Sequence, residues 1–127
     1  MAISTVNVST PANELIFQDT AIGSSIDGIK SSSAVVYSVT VDNTANGGQT
    51  VYLKLWIIAS GSVTLGVSVP DEVILAPAGL VVTAIFKTGA AGGKVFGTAL
   101  SAACVTTGGT AGVVAHSSSV ICSINYV

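Results

Sequence analysis

Short runs rich in Val, Ile, Thr and Ala, broken by Gly, Asn, Ser and Pro, make up most of this chain. No segment sustains an apolar period of 3.6 residues, so the pattern is that of an all-β domain. Residues 3–8 (ISTVNV) are the first run, ended by Pro11 and Asn13. Residues 14–18 (ELIFQ) read as a second short strand, and residues 20–33 as a Gly- and Ser-rich loop with one edge strand at 26–30. Residues 33–43 alternate well: Val35, Tyr37, Val39 and Val41 fall on one face. The following NTANGG (43–48) is a turn, because Asn and Gly tolerate the backbone angles that tight loops need. Residues 50–59 (TVYLKLWIIA) are the strongest strand, with Val51, Leu53, Leu55 and Ile57 on one face and Tyr52, Lys54, Trp56 and Ile58 on the other. An unpartnered lysine is costly to bury, which makes the face of Lys54 the outer one. The two strands 33–43 and 50–59 are expected to form a hairpin.

Residues 60–69 are polar, with a short strand at 63–65, and Pro70-Asp71 marks a turn. Residues 72–76 (EVILA) and 80–86 (LVVTAIF) are strands joined by the turn Pro77-Ala78-Gly79. After the loop GAAGG (89–93) come a strand of small residues at 98–106, the turn TGGTA (107–111) and a strand at 118–126. Such strand spacing predicts a single-domain antiparallel β-sandwich, Ig-like or jelly-roll-like, of seven to eight strands. It occupies residues 1–127, with residues 1–12 as an N-terminal arm.

Composition narrows the function. The 127 residues are 50% hydrophobic and only 8% charged. The cations are four lysines, Lys30, Lys54, Lys87 and Lys94, against six acids. That excludes a basic nucleic-acid binder, which needs clustered cations, and a charged disordered tail. The longest apolar stretch, residues 73–86, is interrupted by Pro77 and Gly79 and is too short for a spanning helix. The start lacks the basic and apolar regions of a signal peptide, so the chain is expected to fold in a cytoplasm with Cys104 and Cys122 reduced.

The middle of the chain resembles a family. The strings VDNTAN, VYLKLW, GVSVP, ILAPAG and FGTALSAACV, within residues 33–106, are similar to those of small bacteriophage virion proteins of β-sandwich fold. Those have a strand ending in N-T, a Y-x-K-L/F-Y/W/F strand, a G-x-x-x-P loop, a P-x-G turn and an F-x-x-G-L/I strand. Ala99 stands here where the last glycine is expected. The resemblance implies a structural component of the phage head or tail.

Chemistry-bearing residues are few. His116 is the one histidine, and Gly66-Val67-Ser68-Val69-Pro70 fails the nucleophile-elbow pattern at its last position, so no catalytic residue is assigned and the enzyme reading is the weakest. Cys104 and Cys122 lack the paired spacing of zinc ligands and read as small buried hydrophobes, which approach each other if their strands are hairpin neighbours. Asp42-Asn43-Thr44-Ala45-Asn46-Gly47 is partly like a calcium loop, but no glutamate follows at the right distance, and it reads as a turn. The glycine pairs precede no helix and hold no phosphate, and the sequon Asn7-Val8-Ser9 is idle without export. No cofactor or metal is expected.

Tyr52, Lys54, Trp56 and Ile58 remain as interface candidates, with burial under other parts of the chain as the alternative. Scarce charge suits a surface covered by neighbours, because neutral polar groups are cheap to desolvate. The reading that unites these points is a phage virion protein, assembled in the host cytoplasm. It is a capsid cement, or decoration, protein that clamps the major capsid protein through many weak contacts, as a homo-oligomer such as a trimer. The arm, residues 1–10, would add a strand to a neighbour. The alternatives are a head fibre or tail component and a carbohydrate-binding adhesive β-sandwich, whose sugar platform would be the one tryptophan.

Overall fold

The computed structural model describes residues 14–86 and 92–127. The first expected strand (3–8), the arm and the sequon lie outside the described residues, as does Lys87. The described residues form nine strands: β1 (Leu15–Ile22), β2 (Asp27–Lys30), β3 (Ala34–Asp42), β4 (Val51–Trp56), β5 (Glu72–Ala76), β6 (Val81–Ile85), β7 (Lys94–Phe96), β8 (Leu100–Val105) and β9 (Val120–Tyr126). Sheet A has the order β1-β9-β3-β6, with β7 also on β3, and sheet B the order β2-β8-β4-β5. All pairings are antiparallel.

β6 and β7 lie end to end along β3: Ile85 is opposite Ser38, Phe86 N donates to Tyr37 O, and Lys94 is opposite Val36. Counted as one interrupted edge strand, they leave eight strands in two sheets of four, ordered as in a jelly roll. Among the described residues the chain changes sheet at nearly every connection, and only β4 and β5 are consecutive strands paired side by side in one sheet.

The β3–β4 hairpin does not form. β3 pairs with β9, β6 and β7, while β4 pairs with β5 and β8. The two strands stack across the core instead, with Val36, Val39 and Val41 facing the layer that holds Val51, Leu53 and Leu55. Alternation reports that one face is buried, and it is the same whether strands pair edge to edge or pack face to face. Likewise β8 and β9 lie in different sheets. Cys104 and Cys122 therefore enter the core from opposite layers, both fully buried and free. Residues 63–65 form no strand, and a short 3-10 turn (Ser60–Ser62) precedes them. The three-residue β7 was not expected from the pattern, being too short to show a period.

Each connection between sheets takes main chain out of the ladders, and its polar groups need other partners. At one end of the sandwich two asparagines supply them. Asn43, fully buried, donates from Nδ2 to the carbonyls of Gln49 (2.7 Å), Ala76 and Pro77 (3.2 Å each). Asn46 Nδ2 donates to Asn43 Oδ1 (3.0 Å) and Ser118 O (2.9 Å), and its Oδ1 accepts from Ser118 N (2.8 Å). The pair ties the β3–β4 connection to the β5–β6 turn and to the segment before β9.

The four edge strands share another device. Asp19 on β1, Asp27 on β2, Glu72 on β5 and Lys94 on β7 are each opposite a buried core residue, Cys122, Ala102, Leu55 and Val36. Each charged side chain therefore turns toward the gap between the sheets. Inward charges on edge strands oppose further strand addition, since a sheet extended there would bury them. On one side Lys94 Nζ meets Glu72 Oε2 at 2.6 Å and joins the two sheets.

Asn43→Ala would take the Nδ2 donor from Gln49 O and Ala76 O and one of its two acceptors from Asn46 Nδ2, while Pro77 O keeps Leu80 N. The expected loss is about 2–4 kcal/mol of unfolding free energy, from several lost bonds each worth about 1 kcal/mol and unpaired buried groups. Urea denaturation checks it, and Asn43→Asp, which keeps shape but loses the donor, should behave similarly.

Candidate functional site

The outer faces of the two sheets are treated differently. On sheet B, Tyr52, Lys54 and Trp56 do point away from the interlayer core, as expected. They are not an open interface, however, because the chain's own loops, residues 57–71 and 106–119, roof them. Trp56 is 1% exposed and donates from Nε1 to Ser68 O at 3.1 Å. Lys54 is fully buried, with Nζ 2.6 Å from Gly109 O and 3.0 Å from Gly112 O. Loss of water around the ammonium lowers its pKa. The expectation that this face was available to partners is corrected for Trp56 and Lys54. Tyr52 is half-buried beneath the same loop, and Ile58 stays at the margin, 36% exposed.

The roof is possible because of its glycines. A Cβ on Gly108 would lie 2.6 Å from Tyr52 Cε1, and one on Gly112 only 2.2 Å from Thr107 O. The small residues of β8 serve the same close packing: all six are buried, with Ser101, Ala103 and Val105 on the roofed side. The loop signal TGGTA was legible in the sequence, whereas its role as a cover was not.

Sheet A has no such roof among the described residues. Strand register sets its outer face in rows. Ile16, Asn125, Ser38 and Ile85 form one, and Gln18, Ser123, Thr40 and Thr83 the next. A third contains Ile121, Asp42 and Val81. The middle row is bound side to side, Gln18 Nε2 donating to Ser123 Oγ (3.5 Å) and the Thr40 and Thr83 hydroxyls meeting at 3.1 Å. Ile16 (72%), Ile85 (63%) and Val81 (52%) are exposed. Among the described residues of these rows, Asp42 alone is charged. Hydrogen bonds from the Thr44 hydroxyl (2.6 Å) and amide (3.0 Å) hold its pKa below the usual carboxylate value.

The other sequence candidates have structural duties. His116 has Nε2 2.7 Å from Ile22 O and Nδ1 2.7 Å from Ser118 O, so backbone carbonyls occupy both ring nitrogens. The side-chain oxygens of the NTAN turn are spent on N–H and O–H donors rather than gathered around a point. Among the described residues no group of three or more His, Cys, Asp or Glu is placed to hold a metal. Burial pushes both thiols up to about 12. A shallow cleft of about 360 Å³ runs beside β2, lined by Gly28, Ile29, Lys30, Ser31, Ala59 and Ser60. No helix among the described residues is long and apolar enough to cross a membrane. Compared with protein-family models, curated proteins and solved structures, the chain matches none.

Two outcomes follow. Gly112→Ala should cost about 1–3 kcal/mol, because the added methyl meets main chain that cannot move aside, and limited proteolysis should then cut within residues 106–119 before the rest of the chain. In the folded protein at pH 8, iodoacetamide should leave Cys104 and Cys122 unmodified, while both are alkylated in urea, as mass spectrometry will show.

Proposed function

We propose that the protein is an assembly subunit that docks onto other proteins through the outer face of sheet A. The supporting observation is the asymmetry of the sandwich: one outer face is sealed by the chain's own loops, and the other is, among the described residues, open and almost free of charge. Serine, threonine and amide groups lose less on leaving water than lysine or glutamate would. Exposed Ile16, Val81 and Ile85 at its margins add apolar area. Such a face is suited to contacts that are individually weak and act together in a repeating array.

The setting we infer is a bacteriophage virion, with the protein as a capsid decoration, or cement, subunit on the major capsid protein. This rests on the resemblance of residues 33–106 to phage virion proteins and on the scarcity of charge. Jelly rolls occur in viral capsids, but also in lectins and cupins, so topology alone does not decide between them. Trp56, the one tryptophan, is buried under Ser68, which deprives the carbohydrate reading of its platform. A head-fibre or tail position uses the same docking face and differs in the partner.

Thr83→Lys places a cation at the β6 end of the open face's middle row without touching the core. It should weaken retention on purified capsids at least ten-fold in a co-sedimentation assay, while Val67→Lys, on an exposed loop of the roof, should bind as the parent does. Equal binding by both variants, or absence of the protein from mature particles, would overturn the reading. Removing residues 1–10 tests the arm separately: unchanged capsid binding eliminates it as a contributor.

A further inference from the structure

The corner where β1 hands over to β2 gathers ionisable groups that the docking face does not use. Asp19 and Asp27 both turn toward the gap between the sheets, from β1 and β2 respectively. Asp27 Oδ2 is shut off from water and has no hydrogen-bond partner. The Asp19 carboxyl is its neighbour, and Asp19 Oδ1 also accepts from Ala21 N at 2.8 Å. Loop 106–119 reaches the same corner through His116, whose ring lies between Ile22 O and Ser118 O at 2.7 Å each. Gly23 O, the next carbonyl along, accepts from Cys104 N at 2.8 Å.

The carboxyl pair lacks a proton when both of its groups are in the basic form. Two ionised carboxylates facing each other repel, and neither can donate to the other. One added proton turns Asp27 into a donor to Asp19 and supplies the orphaned oxygen with a bond. We propose that the β1–β2 corner is a proton-operated clasp, closed when Asp27 holds its proton and loosened when it releases it.

The electrostatics agree with the geometry. The Asp27 pKa is raised from 3.8 to about 6, by burial first and then by the hydrogen bond to Asp19 and its charge. The other ionisable groups on the strands packed here are Lys30 of β2, Cys122 and Tyr126 of β9 and Cys104 of β8, and both thiols, pushed up to about 12, stay neutral throughout. Because the folded state holds the Asp27 proton more tightly than the unfolded chain does, this part of the stability is complete below about pH 4. It is lost as pH rises toward and through 6.

The test is unfolding and amide exchange of the purified chain between pH 4.5 and 8, independent of any capsid. The parent's thermal midpoint should fall across this range. Asp27→Asn, whose amide donates to Asp19 at every pH, should remove the fall. Protection of the β1 amides, corrected for intrinsic exchange, should drop at least ten-fold in the parent and much less in Asp27→Asn. A flat or rising midpoint in the parent, or a fall that survives Asp27→Asn, would overturn the clasp. Should Asp27→Asn fail to fold, carboxyl-carbon NMR of the parent decides: a midpoint for Asp27 near 6 supports the clasp, and one in the usual aspartate range refutes it.

Discussion

A chain that changes sheet at almost every connection must repeatedly lift its backbone out of the ladders, and every amide so released needs a partner. This fold meets that demand with buried side chains. Asn43 and Asn46 hold three connections together at one end, and Lys54 holds loop 106–119 by two carbonyls on the outer side of sheet B. These polar groups sit where apolar ones would leave carbonyls unbonded, so the hydrophobic core between the sheets depends on them for its topology.

The sparse charge is spent in the same spirit. Of four cations and six acids, one lysine is buried beneath the roof and four residues guard the edge strands from inside. Few charges are left for the surface, and the outer rows of sheet A carry Asp42 alone among their described residues. A neutral open face is thus partly a consequence of how the fold uses its ions. The same economy leaves Asp19 beside Asp27, a like-charged contact that becomes favourable only by sharing a proton, whereas Glu72 and Lys94 pair directly at the opposite side.

An assembly role and a pH-sensitive corner are compatible because they occupy separate places. The proposed docking face is built from outward residues of β1, β9, β3 and β6, while the proposed clasp lies at the inward side and the end of β1. Strand β1 belongs to both, so loosening of its end would reach Ile16 and Gln18 on the face through one continuous strand.

Alternation of apolar and polar residues was enough to determine an all-β sandwich, most of its strands and the outward direction of Tyr52, Lys54 and Trp56, since side chains on a strand must alternate between faces. What alternation does not encode is the neighbour. Residues 33–43 and 50–59 lie face to face rather than side by side because each pairs with strands distant in sequence, and Asn43 bonds the equally distant Ala76 and Pro77. Likewise, a lysine and a tryptophan on an outward face read as an interface until loops from residues 57–71 and 106–119 are seen to close over them. The bare face of sheet A arises in the same way, from strands distant in sequence that bring Gln18, Ser123, Thr40 and Thr83 into one row. Local pattern sets which way a side chain points, and only the packed chain decides what it meets there.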